Sequence, residues 1–229
     1  HEVKIFSLPG KYWKWRMHGA AVSLAQQFLD QEQQPDLILA TDMLDLTTFL
    51  ALTRVRTAAI PTALYFHENQ LTYPWSPTDE DVKLQRDRHY AWLNYTSALT
   101  ADKVYYNSAY NKDSFLQALT PFLQAFPDNK GLENVCIISK KSTILPLGLD
   151  LAALDPFEIQ KENKTPVLLW NHRWEYDKDP KAFFELCYQL DAQNIDFNIV
   201  VLGEKYAKSP PIFAEAKTKL ADKIIHWGY

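Results

Sequence analysis

Short apolar runs alternate with stretches whose apolar residues recur at helical spacing, from one end of the chain to the other. "DLILA" (36–40), "PTALYF" (61–66), "DKVYYNS" (102–108) and "STILPLG" (142–148) read as strands. Helical patterns at 44–54, 82–101 and 111–126 separate them, with a kink or break expected at Pro121. The theme then repeats. "PVLLWN" (166–171), "DFNIVVLGE" (196–204) and "DKIIHW" (222–227) are strands, and 179–194 and 209–221 are helices. Strand, helix, strand at these lengths forces parallel pairing through crossover helices. The expected class is therefore α/β with parallel sheets.

The polar stretch "EIQKENKT" (158–165) interrupts the alternation and marks a boundary. The expected organisation is one domain over 1–150, a hinge over 151–165, and a second domain beginning at 166. The chain opens on His1-Glu2 without an initiator Met and closes on "IIHWGY", a strand and its exit. Both ends read as those of a piece of a longer chain, with both domains incomplete and the first strand missing before His1. The net charge of −4 is shared evenly, with 14 basic and 16 acidic side chains before residue 151 and 10 and 12 after it. Neither half has the basic excess of a protein that grips nucleic acid by bulk electrostatics, which leaves room for a local patch. Cys136 and Cys187 stand alone, in no metal-ligand spacing. A reducing, cytoplasmic setting fits them better than a disulfide framework. No apolar stretch has the length of a membrane span, and no signal peptide is visible.

Ligands of parallel α/β sheets bind where strands end and helices begin. The segment "NHRWEYDKDP" (171–180) occupies such a place, with Asp179 as N-cap and Pro180 in the first helical turn. A helix N-terminus together with Arg173 and Lys178, flanked by Asn171 and His172, is chemistry for a phosphate or diphosphate. Glu175, Asp177 and Asp179 oppose that charge, so a solvated loop of local ion pairs explains the same residues. "FHENQ" (66–70) holds the matching place in the first half. His67 and Glu68 there can face a cleft, or His67 can close a hydrogen-bonded turn. "KYWKWRMHG" (11–19) interleaves Lys11, Lys14 and Arg16 with Trp13 and Trp15. Rings beside cations stack on bases and touch phosphates, and they also pack into cores while the cations snorkel past. "NSAYN" (107–111) is a polar strand exit with nothing diagnostic in it.

"LPLGLD" followed by "DPF" resembles the hinge of family-4-type glycosyltransferases. "YFHENQLTYP", "NHRWEYDKDP", "VLGE" and "IIHWGY" together resemble the tRNA-queuosine mannosyltransferase family over nearly the whole chain. The resemblance implies a GT-B fold, two facing Rossmann-like domains. It implies transfer of mannose from GDP-mannose to the queuosine of a tRNA anticodon, with retention and without a metal or other cofactor. It implies His67, Arg173 and Lys178 as catalytic residues. Arg173 and Lys178, with Asn171 and His172, hold the donor, and Glu68 and Asn69 shape the cleft loop. Lys11, Lys14, Arg16, Trp13 and Trp15 are the expected tRNA contacts. The family's later motif with two glutamates is not in this sequence. Two other readings stand beside this one: a related transferase with a lipid or saccharide acceptor, and a nucleotide-sugar or RNA binder without catalysis.

Overall fold

The computed structural model describes residues 2–76, 79–84, 87–157, 164–205 and 209–228. The chain divides into two units. One comprises His1–Tyr73 and Asp79–Leu149; the other comprises Pro74–Thr78 and Asp150–Tyr229.

In the first unit, β1 (Ile38–Thr41), β2 (Thr62–Phe66), β3 (Lys103–Tyr106) and β4 (Ser142–Ile144) form a parallel sheet in that order. Its register pairs Leu39 with Ala63, Leu64 with Val104, and Tyr105 with Thr143. β2 is central and covered on both faces, so it reads as an unbroken apolar run rather than an alternation. Helices α1 (Trp13–Leu29), α2 (Leu46–Thr57), α3 (Glu80–Lys83), α4 (Asp87–Thr100), α5 (Ala109–Gln124) and α6 (Glu133–Lys140) accompany it. The core gathers Phe28, Phe49, Leu64, Phe66, Tyr106, Phe115 and Leu119. Phe66 stacks on Tyr106 at 4.9 Å between centroids.

The second unit holds a parallel sheet of β5 (Val167–Asn171), β6 (Asn198–Leu202) and β7 (Ile224–Trp227), with α7 (Pro180–Ala192) and α8 (Ile212–Lys219). Leu169 pairs with Val200, and the β6–β7 register slips between Ile199 and Val200. Trp170, Trp174, Phe184, Phe213 and Trp227 fill its interior with mutually packed rings. Large rings let a small sheet bury much area per residue.

Several elements differ from the sequence reading. α1 covers the 11–19 run, whose apolar periodicity is hidden because Met17, Ala20, Ala21 and Ala25 form the buried face and the tryptophans do not. α6 was not expected. The pattern over 82–101 becomes α3 and α4. α5 continues through Pro121 to Gln124, because proline sacrifices only its own N–H bond within a helix otherwise held by Phe115, Leu119 and Leu123 in the core. β4 ends at Ile144. Leu151–Phe157, expected as hinge, winds into a 3-10 turn that belongs with the second unit, as does the 74–78 segment from the other half of the sequence. Most of the polar boundary at 158–165 lies outside the described residues.

Helix starts follow strand exits by capping. Asp45 accepts from the Thr48 amide at 3.0 Å, Ser108 from the Asn111 amide at 3.1 Å, and Asp179 from the Ala182 amide at 3.2 Å. Each cap leaves the remaining N-terminal amides of its helix at the carboxyl end of the preceding strand. Phe184 is fully buried and touches Trp170, Phe213 and Trp227. Phe184→Ala is expected to cost the second unit about 3–5 kcal/mol, measured by denaturant unfolding; a loss below about 1 kcal/mol would show that the ring cluster does not hold this unit.

Candidate active site

The first constellation grows from the exits of β1 and β2. The chain leaves β1 into Asp42, which is fully buried. Its Oδ1 accepts the His67 backbone amide at 3.1 Å and pairs with His67 Nδ1. Its Oδ2 is buried and receives no hydrogen bond among the described residues. A buried carboxylate with one unsatisfied oxygen is expensive unless a positive or protonated partner stands beside it. His67 is that partner. The hydrogen bond from Asp42 raises the imidazole pKa above its ordinary value, burial opposes this, and the Asp42 and Glu68 charges add to the rise. The ring is half exposed, so it meets solvent on one side and a buried anion on the other. That is the arrangement of a histidine held in one orientation and poised to carry a proton or positive charge.

Three side chains fix this corner. Asn94 of α4 donates to the Asp42 carbonyl at 2.8 Å and accepts from the Gln70 amide at 2.8 Å. Asn107 donates to the His67 carbonyl at 2.8 Å. Asn69, expected to shape the loop, is buried and binds Asn111 at 2.8 Å and the Thr72 amide at 3.0 Å. Glu68 accepts from the Gln70 side chain at 2.9 Å. Residue types in "NSAYN" gave no signal, yet Asn107 and Asn111 lock the histidine loop. Asp42 was also missed; an acid one residue past a strand was the available clue. Asp42, His67 and Glu68 also bring one ligand atom each within 4.8 Å of one another.

The second constellation lies at the exit of β5. Asn171 ends the strand, exposed, and the His172 carbonyl accepts from the Trp170 indole at 3.0 Å. Arg173 pairs with Glu175 at 3.1 Å and is half exposed; Lys178 pairs with Asp177 at 2.8 Å. Both cations therefore sit at the strand exit, before the α7 start, and both are steered by loop acids. Trp174 pins the loop between them. It is buried, stacks on Phe213 at 4.5 Å, and its indole donates to the Leu202 carbonyl at 3.2 Å. Tyr176 donates to the Pro74 carbonyl at 2.7 Å. A groove of about 450 Å³ opens here, walled in part by Tyr176, Asp179, Lys181 and Tyr188.

The 11–19 run divides. Lys14 bridges Asp79 at 2.5 Å and Asp81 at 2.6 Å, and Arg16 reaches the Pro9 carbonyl at 3.3 Å. Trp13 packs on Tyr90 at 5.4 Å, while Trp15 and Lys11 are exposed. No helix among the described residues is long and apolar enough to cross a membrane.

Residues 1–149 match the family model described as tRNA-queuosine alpha-mannosyltransferase N-terminal. The whole chain is 35% identical to the tRNA-queuosine alpha-mannosyltransferase of Drosophila melanogaster and spans 61% of that protein's length. Among solved structures it is similar to the E. coli trehalose-6-phosphate structure bound with UDP-2-fluoro glucose. There the TM-score is 0.57 at 10% identity over 93% of this chain and 52% of that one. The UDP-forming trehalose-phosphate synthase of Burkholderia xenovorans gives a TM-score of 0.55 at 13% identity, over 93% and 52%. Identities this low carry the fold alone: two Rossmann-like parallel sheets of the GT-B type.

Two outcomes follow from the geometry. Asp42→Asn keeps an acceptor for His67 but removes the charge, so the His67 titration midpoint, followed by NMR, should fall. The raised folded-state pKa means that the pair contributes its full stability below the ordinary value of 6.5 and loses it as pH rises through the folded value. In the variant this loss above pH 6.5 should flatten; an unchanged midpoint would refute the coupling. Gly203 has φ +113°, and a Cβ there would lie 2.0 Å from the His172 carbonyl oxygen. Gly203→Ala should therefore destabilise by more than about 1 kcal/mol and displace the 171–178 loop. Wild-type proteolytic protection of that loop would contradict this.

Proposed function

The chain belongs to the tRNA-queuosine alpha-mannosyltransferase family, and from that premise we propose that the full-length protein transfers mannose from GDP-mannose to the queuosine of a tRNA anticodon, with retention and without a metal or other cofactor. The observation that carries the reading is the loop at the β5 exit. Arg173 and Lys178 lie in the loop between β5 and α7, each paired with a loop acid, and the family resemblance expects the donor diphosphate at this loop.

Bond cleavage between mannose and diphosphate leaves negative charge on the departing oxygen. In this reading Arg173 and Lys178 meet that charge, and the α7 amides add their dipole. Glu175 and Asp177 hold the two cations in position before charge develops. Pre-oriented donors need no reorganisation at the moment of reaction, which is why they favour the transition state over the bound substrate. His67, held by Asp42, serves the sugar side, where a fixed and readily protonated imidazole stabilises developing charge. The 11–19 run contributes to tRNA contact through exposed Lys11 and Trp15 and partly buried Arg16. Lys14 and Trp13 support that surface from the Asp79–Asp81 and Tyr90 contacts. The setting is cytoplasmic.

Arg173→Ala in the full-length protein should reduce turnover on the order of 10²-fold or more, with tRNA affinity changed far less. Lys178→Ala should act in the same direction, and Lys178→Arg should not restore it, because a planar fork does not replace a point charge. The readout is a hexose mass shift on queuosine-containing tRNA with GDP-mannose, in chelator. Near wild-type turnover in folded Arg173→Ala would return the loop to local ion pairs. Transfer to a saccharide or lipid, but not to tRNA, would replace the acceptor.

A further inference from the structure

A second groove, of about 250 Å³, lies in the first unit between α4 and the end of α5, lined by Arg88, His89, Trp92, Phe122, Ala125 and Phe126. Its composition is unusual for a surface. Trp92 is 40% exposed and Phe126 36% exposed, and their rings meet edge to face at 5.3 Å. Phe122 meets Phe126 at 85°. Trp92 also contacts Tyr95 at 5.3 Å, which fixes its orientation from beneath. The rings are thus held in place with open faces. Arg88 is exposed and makes no ion pair among the described residues. It differs in this from Lys14, Arg173 and Lys178, each of which is paired with an acid.

His89 joins the groove to α1, stacking on His18 at 4.5 Å and 17°. Burial and the neighbouring His18 hold its pKa below the ordinary histidine range, against the pull of Asp45. α4 also carries Asn94, which fixes Asp42. At about 1.5 Å per residue, Arg88, His89 and Trp92 lie within roughly 9 Å of Asn94 along the helix axis. Trp92 and Asn94 are two residues apart and point to opposite sides of α4, so the aromatic and basic groove lies on the outer face of that helix.

We propose that this groove binds an unstacked nucleobase of the RNA acceptor, with the base on Trp92 and Phe126 and its phosphate on Arg88. The inference rests on the tRNA reading above and adds a base-holding site to it. Open aromatic faces beside an unpaired guanidinium match a π-faced base with an anionic backbone, and RNA loops offer splayed bases to such platforms. A purely apolar partner would leave Arg88 without a counter-charge, and a purely anionic one would leave the rings unused.

The test uses the full-length protein with Arg88→Ala, Trp92→Ala and Trp92→Phe. Binding is measured to queuosine-tRNA, to a short single-stranded RNA and to a blunt RNA duplex, across salt, alongside GDP-mannose binding and thermal melting. Trp92→Ala should weaken tRNA and single-strand binding on the order of tenfold or more, as loss of one base–aromatic stack does. Trp92→Phe should retain most of the affinity. Arg88→Ala, an exposed position that keeps the fold, should lower the salt slope by about one unit. GDP-mannose binding should stay unchanged in all three. Wild-type tRNA affinity in Arg88→Ala and folded Trp92→Ala overturns the proposal, as does equal binding of duplex and single strand. If wild-type protein binds RNA through Trp92 yet moves no mannose to tRNA, the groove stands and the functional reading fails. If mannose is transferred with an unchanged tRNA KM in both alanine variants, the functional reading stands and the groove fails.

Discussion

The buried carboxylate of Asp42 organises the first unit's candidate site. It lies one residue beyond β1, it is fully buried, and its Oδ1 holds both the backbone and the ring of His67. Everything around it serves to keep that contact. Asn94 grips the Asp42 backbone from α4, Asn107 grips the His67 carbonyl from the exit of β3, and Asn69 ties the loop that follows to Asn111 of α5. Three strand exits and two helices meet in one hydrogen-bond network. Amide side chains suit this work because each offers donors and an acceptor without adding charge beside the buried anion.

The second unit solves a similar problem by packing. Its cationic loop carries Arg173 and Lys178 partly exposed, each paired with a loop acid. The loop is pinned by Trp174, buried among rings between the two cations, and by Gly203, whose missing side chain lets the His172 carbonyl approach β6. The buried ring of Trp174 thus anchors the loop between the two charged side chains. The acids beside them keep the resting loop from carrying bare positive charge.

The same division of labour explains why the two halves look different in composition. The first unit has the longer core and uses polar residues at its sheet edge. The second has a three-stranded sheet and leans on tryptophan and phenylalanine to bury enough area. In both, helices start from side-chain caps placed just past the strands. The anion-attracting ends of α2, α5 and α7 are thus generated by local sequence, through Asp45, Ser108 and Asp179.

The alternation of apolar runs and helical periods determined the parallel α/β class. Asp179-Pro180 determined where α7 starts, since caps and proline act through bonds to residues three or four positions away. The cations at the β5 exit and His67 at the β2 exit were legible for the same reason: strand ends are local features. What the tertiary structure decided is which distant groups meet. Asp42 reaches His67 across two strands, and Asn94, Asn107 and Asn111 arrive from other elements, so no spacing in the sequence announces them. The tryptophans show the same limit: Trp174 looks like one more member of a polar loop and is its buried anchor, while Trp15, in a run rich in rings, stays in solvent. Burial depends on which face a neighbouring element covers, and that is settled only when the sheets and helices pack.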